Sequence, residues 1–263
     1  MLGQAEDNRS PEQIDAAWQR WWSCRQCKQK YHGVVRHALG WACWKMFAGQ
    51  PEDRPLRSLA LHEVANGLQE VDRWAESLAI WKYDLDRMNR LHPNPNREQR
   101  DTILIAKSHI AGCYEQLGRE DDLLNTRREV YLGMVELRGT SDYTTILAAN
   151  QLMGALFKYD HSAEAMELLE KTIPQAERAL GPDASVTLDL RWNYGYLSFS
   201  ELRPPWDERT RKKEAQIKAD LADLLQRKRR VLGSAHPNVL HCQQALARLP
   251  TAEALWSMPG RHR

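Results

Sequence analysis

A leucine or arginine followed by glycine recurs along the chain at Arg138-Gly139, Leu180-Gly181 and Leu232-Gly233, and six residues after each glycine stand Thr145, Thr187 and Val239. The first two glycines are 42 residues apart and the next two 52, so one unit has the basic period and the next carries ten inserted residues. His109-Ile110-Ala111, Gln151-Leu152-Met153 and Asn193-Tyr194-Gly195 fall in phase at 42-residue intervals, and Glu63-Val64-Ala65 lies 46 residues earlier. A fixed period of this size marks a repeat architecture, in which one unit cannot bury its apolar face alone and must stack on its neighbours.

Within a unit the apolar residues have helical spacing, as in Ala106, Ile110, Cys113 and Leu117 followed by Leu123, Val130, Met134 and Leu137. Between the two runs sits Leu117-Gly118-Arg119-Glu120, where glycine can take the left-handed conformation that closes a helix; Val71-Asp72-Arg73 and Tyr159-Asp160-His161 are the equivalent turns. Asp142 and Asp183 are placed to cap the following helices. The pattern predicts helix pairs over 56–71 with 74–91, 101–117 with 119–138, 142–158 with 161–180 and 184–200 with 207–232, then a closing helix over 236–249. Pro174 falls inside one predicted helix, where its missing N–H argues for a kink rather than a break.

The segment Val231-Leu232-Gly233-Ser234-Ala235-His236-Pro237-Asn238-Val239-Leu240, with the 42-residue helix pair, resembles the kinesin-light-chain class of tetratricopeptide repeat over residues 56–249. The resemblance implies an all-α fold, a right-handed α-solenoid of about four helix pairs plus a terminal capping helix. A polar segment (1–17) and a Trp-rich Cys-x-x-Cys segment with an N-capping helix (18–55) come before the repeats, and a tail (250–263) follows them.

In such a stack the first helix of each pair lines the concave side. Side chains that both donate and accept are suited to clamp the backbone of an extended peptide there. The aligned candidates are Ser108, His109, Asn150, Gln151 and Asn193. Lys107 and Arg191 lie two residues before the aligned His and Asn and could select acidic residues of a protein or peptide partner. Glu63 would bias the opposite end, and His62, His109 and His241 read as packing or surface histidines.

The inserted stretch opens with Leu202-Arg203-Pro204-Pro205-Trp206, a loop followed by a long helix. Between Arg203 and Arg230 stand ten Lys or Arg against five Asp or Glu, with clusters at Arg211-Lys212-Lys213 and Arg227-Lys228-Arg229-Arg230. This is either a solvated helix face or a patch for an acidic partner. The lack of interleaved aromatics argues against nucleic acid.

The front of the chain holds Trp18, Trp21 and Trp22, then Cys24-Arg25-Gln26-Cys27, Tyr31-His32-Gly33, Trp41 and Trp44. This run resembles the end of a RING-variant zinc domain joined to such repeats, which implies that Cys24 and Cys27 are the last two of eight metal ligands. No cysteine or histidine precedes Cys24, so the zinc site is incomplete and the expectation is a relic or a truncated chain with no cofactor. Residues 33–48 can form a helix, weakened by Gly40, that caps the first repeat.

Composition excludes little more. A formal net charge of +2 is too small to argue for nucleic acid or an anionic membrane. No run approaches the roughly 18–20 apolar residues of a membrane span, and the polar, acidic start has no signal-peptide pattern. Five cysteines are an odd number and point to a reducing, cytoplasmic setting, with Cys43, Cys113 and Cys242 as apolar packing residues. Phosphate loops, His-Glu-x-x-His helices and nucleophile elbows are absent. The functional expectation is a non-enzymatic interaction scaffold or adaptor. The alternative is the substrate-recognition part of a RING-variant ubiquitin ligase.

Overall fold

The computed structural model describes residues 18–257, so the polar segment 1–17 and the last six residues of the tail lie outside the described residues. Among them the fold is all-α, with one 3-10 turn at Gln19–Trp21 and one isolated bridge between Ser23 and Lys30. The helices are α1 (Gly33–Phe47), α2 (Pro55–Gln69), α3 (Trp74–Leu91), α4 (Arg97–Gln116), α5 (Glu120–Arg138), α6 (Tyr143–Lys158), α7 (Ser162–Leu180), α8 (Ser185–Ser200), α9 (Glu208–Leu232), α10 (Pro237–Ala247) and α11 (Ala252–Trp256). The chain divides into two compact units, Met1–Thr126 and Arg127–Arg263, with the boundary inside α5.

Turn chemistry explains the helix pairs. Asp72, Gly118 and Asp160 all have φ near +60°. In each case the next N–H returns to a carbonyl five residues back: Arg73 to Leu68 at 2.9 Å, Arg119 to Tyr114 at 3.0 Å and His161 to Leu156 at 2.9 Å. This closure satisfies a helix-end carbonyl and turns the chain into its partner helix, and aspartate tolerates the left-handed region well enough to replace glycine twice. Gly139 and Gly181 have φ of 84° and 90°, a region that side-chain-bearing residues avoid.

Two local expectations need correction. Helix α4 starts at Arg97 rather than 101, because Asn96 and Gln99 form a reciprocal capping box with both bonds at 2.9 Å. Asp142 caps α6 through the Thr144 N–H, but Asp183 does not cap α8; it pairs with Arg227 at 2.8 Å. Within the expected tail, Thr251 caps the short helix α11, whose Ala252 packs with Phe199 and Leu202. Helix α7 runs unbroken through Pro174.

In unit 1 the front of the chain docks on α2. Trp21, Cys43, Phe47 and Ala60 form a core flanked by Trp18, Leu39, Trp44 and Leu56. Gly40 is not a weak point of α1. A Cβ there would meet the Glu63 carbonyl oxygen at 2.4 Å, and one on Gly67 would meet the His37 Cα at 2.8 Å, so these glycines allow the two helices to approach closely. Buried Arg36 and Glu63 form an ion pair across the same interface, with Arg36 donating to the Trp21 carbonyl and the Trp18 indole donating to Glu63. In unit 2, Leu188, Trp192, Leu221, Leu224, Leu225, Val239 and Cys242 make the core between α8, α9 and α10.

Candidate functional site

The predicted clamp residues sit on the first helices of their pairs: Lys107, Ser108 and His109 on α4, Asn150 and Gln151 on α6, and Arg191 and Asn193 on α8. All are half-buried. Their environments differ.

In unit 2, Asn193 donates from Nδ2 to Asn150 Oδ1 at 3.3 Å, joining equivalent positions of successive first helices. That bond uses one Asn193 N–H and the Asn150 carbonyl oxygen; the Asn150 amide N–H groups and the Asn193 carbonyl oxygen are a donor and an acceptor of the kind a peptide unit pairs with. Further along the same two helices, the rings of Phe157 and Tyr196 meet edge to face at 5.9 Å, with Phe157 exposed. Phe157 is seven residues after Asn150 and Tyr196 three after Asn193, spacings that return to one helix face. This aromatic pair was not foreseen, although helical counting from the asparagines would have found it.

Two other candidates leave that strip. Gln151 Oε1 accepts from Nη1 of buried Arg127 at 2.6 Å. Arg191, two residues from Asn193 and so about 200° away around the helix, turns into a different groove and pairs with Glu177 at 3.3 Å. Arg191 is therefore not brought into the strip that holds Asn150 and Asn193.

In unit 1, the His109 ring stacks on Trp81, centroids 4.2 Å apart and 2° from parallel, and His62 contacts the same Trp81 at 4.4 Å. Both histidines pack on this ring. His62 also belongs to a buried cluster that sequence reading missed. Asp84, fully buried, accepts from Ser58 at 3.0 and 3.2 Å, from Arg87 at 2.8 Å, and contacts His62 Nε2 at 2.7 Å. The residue types are those of a hydrolase triad but the geometry is not. Ser58 and Asp84 both approach the same ring nitrogen, Nε2, so a proton cannot pass from hydroxyl through the ring to the carboxylate. Burial pushes the Asp84 carboxyl up, but the bond to His62 and the charges of His62 and Arg87 outweigh it and hold the group below the usual carboxylate range. The signal was Asp84 itself, at helical spacing in the stripe Leu78, Trp81, Met88.

The basic run of α9 is also reassigned. Arg227 binds Asp183 and the Pro182 carbonyl, and Arg229 reaches Gln243. Lys228 is 1% exposed, with Nζ 2.6 Å from Asp189, 2.9 Å from Asn238 Oδ1, 3.4 Å from Cys242 Sγ and 5.5 Å from the Trp192 ring. Much of the charge counted as a patch for an acidic partner is thus used internally.

Cys24 and Cys27 lie in a hairpin closed by Cys24 N–H to Gln29 O, Lys28 N–H to Cys24 O and Tyr31 N–H to Trp22 O, with Lys28 at φ +60°. Backbone N–H groups of Cys27 and Gln26 lower the Cys24 thiol below its ordinary value. His32 lies 3.5 Å from Glu70 and His37 packs against Trp41. Among the described residues no group of three or more His, Cys, Asp or Glu is arranged to hold a metal, so the pair does not fit a closed four-ligand zinc site. Cys43, Cys113 and Cys242 are buried, and burial raises all three thiols, Cys43 to about 12. Among the described residues no helix is long and apolar enough to cross a membrane.

No family model matches the sequence, and no curated protein matches it. Solved structures do. The nearly identical TPR-like repeats of a kinesin light chain so designated from Podosopora anserina are 13% identical, with 75% of this chain and 86% of that one aligned at a TM-score of 0.56. A single-substitution variant of them gives 12%, 75%, 85% and 0.56. BtubC (BKLC) from P. vanneervenii is 12% identical, with 87% and 94% covered at a TM-score of 0.55. At these identities the likeness shows the fold alone, stacked tetratricopeptide-like helix pairs.

Proposed function

We propose that this protein is a non-catalytic interaction scaffold that receives an extended protein segment on the first-helix face of unit 2. The observation that carries the reading is the Asn150–Asn193 bond, which leaves a donor and an acceptor on the two helices that carry the Phe157–Tyr196 pair. A peptide backbone laid across α6 and α8 would find both hydrogen-bond roles there, and its side chains would find aromatic surface. In unit 1, Lys107 and Ser108 hold the corresponding helix positions and are assigned a lesser role, because His109 beside them is engaged with Trp81. Five unpaired cysteines support a reducing setting such as the cytoplasm.

A library of extended peptides of mixed charge, displayed on an array and probed with the purified chain, tests this. Asn150→Ala with Asn193→Ala should weaken capture by about 2- to 150-fold, the equivalent of one or two lost hydrogen bonds at 0.5–1.5 kcal/mol each, while the helical circular dichroism is unchanged. Capture that survives the double substitution would remove the asparagines from the site.

A further inference from the structure

Unit 2 carries a second concave feature on the other side of α8. A groove of about 540 Å³ runs between α7, α8 and α9, with Ile173, Pro174, Gly195, Leu221 and Leu224 among the residues that form it. Gly195 helps keep it open, since a Cβ there would sit 2.9 Å from Leu221. Its rim carries four carboxylates, Glu170, Glu177, Asp220 and Asp223, against the single cation Arg191. Arg191 is already paired with Glu177, and Asp220 accepts from Gln216 at 2.8 Å. Glu170 and Asp223 are exposed and have no partner among the described residues.

The equivalent groove one repeat earlier shows what is unusual. It lies between α5, α6 and α7, measures about 290 Å³ and includes Arg128, Leu132, Leu152, Glu164 and Lys171. Arg128 crosses it to grip Glu164 with two bonds of 2.9 and 2.7 Å. Counting 42 residues from α5 to α7 and 52 from α7 to α9, Arg128 becomes Glu170, Glu164 becomes Gln216 and Lys171 becomes Asp223. The clasp is gone, the groove is larger, and a balanced lining of two cations (Arg128, Lys171) and two carboxylates (Glu164, Glu167) has become one of four carboxylates against one cation. Carboxylates around an apolar floor concentrate a negative potential where solvent is partly excluded.

We infer that this groove docks a partner segment in which aliphatic side chains are flanked by Lys or Arg. The aliphatic groups cover Ile173, Leu221 and Leu224, and the cations meet Glu170 and Asp223. The surface is separate from the asparagine strip, and the inference does not depend on that strip being used.

The probe is a fluorescein-labelled peptide, Gly-Lys-Arg-Leu-Leu-Ala-Lys-Arg-Gly, followed by anisotropy against the full chain. Saturable binding is expected, weakening as salt rises because exposed charges are screened over roughly 10 Å at 0.1 M. Replacing its leucines by serine, or its cations by glutamate, should each lower affinity by about tenfold or more. Glu170→Lys with Asp223→Lys should do the same, as should Glu170→Arg with Gln216→Glu, which rebuilds the clasp of the earlier groove. These positions are exposed, and circular dichroism confirms that each variant is folded. Asn150→Ala with Asn193→Ala should leave this binding unchanged. No saturable binding up to millimolar peptide, equal binding of the serine or glutamate peptide, or affinity retained in the charge-reversed variant would overturn the assignment. So would loss of binding in the asparagine variant, which would move the segment to the other face.

Discussion

Removing Asp189 should damage the fold more than removing Lys228, although Lys228 is the more deeply buried partner. The side chain of Lys228 is 1% exposed and that of Asp189 22%. In Asp189→Ala the ammonium stays in the core with the Asn238 carbonyl, the Cys242 sulfur and the Trp192 ring, and no counter-charge. Breaking a buried ion pair this way costs about 3–5 kcal/mol; the partial exposure of Asp189 places the loss near 3. In Lys228→Met the carboxylate left behind can turn to water, and an unbranched apolar chain refills the space beside Trp192, so the loss should be about 1 kcal/mol. The double variant, Asp189→Ala with Lys228→Met, should resemble Lys228→Met alone. Urea unfolding of the four proteins, analysed as a double-mutant cycle, should give a coupling of about 3 kcal/mol between the sites. If Lys228→Met proves as costly as Asp189→Ala, or if coupling is absent, the ion pair is not what holds α8, α9 and α10 together.

The acid limb of stability should report Asp84. Its carboxyl titrates below the usual range in the folded chain, so the unfolded chain binds the proton first; the stabilisation is complete above the ordinary aspartate pKa of about 3.9 and is lost as pH falls through the lower folded value. Asp84→Asn should flatten that limb in urea titrations between pH 5 and 2, and an unchanged slope would assign it to other carboxylates. Gly40→Ala should destabilise unit 1 by about 3 kcal/mol, the top of the usual overpacking range, since the added Cβ meets a backbone oxygen rather than a flexible side chain; a shift in melting temperature confined to about a degree would mean that α1 does not press on α2. Gly118→Ala should cost about 1 kcal/mol for a side chain at positive φ, where Asp160→Gly should be neutral or mildly stabilising. Zinc analysis of the purified chain should find fewer than about one ion per ten chains, because a structural site needs four donors. One tightly bound zinc lost on Cys24→Ser would instead favour the ligase-derived reading.

The strip on α6 and α8 was only partly legible in advance. Asn150 and Asn193 could be found because repeat phase places equivalent residues together, and their mutual bond spans 43 residues, close to the 42-residue period. Arg191 could be assigned to its own groove only once its rotation about α8 and its partner Glu177 were known. Lys228 was counted with the surface charge of its neighbours because linear clustering hides facing. Its place in the stripe Leu221, Leu224, Leu225 was the available clue.

Determined by the sequence alone were the period, the helix pairs and the turns between them, because these depend on contacts within a few residues: apolar groups at helical spacing, and glycine or aspartate where the backbone takes positive φ. Tertiary structure alone decided which polar side chains are spent. Asp84 with His62, Arg127 with Gln151 and Lys228 with Asp189 are joined over 22, 24 and 39 residues. Whether a charge is solvated or enclosed depends on what the next helix brings against it, and local spacing carries no record of that. The same reason leaves the acidic groove invisible until α7, α8 and α9 are set side by side.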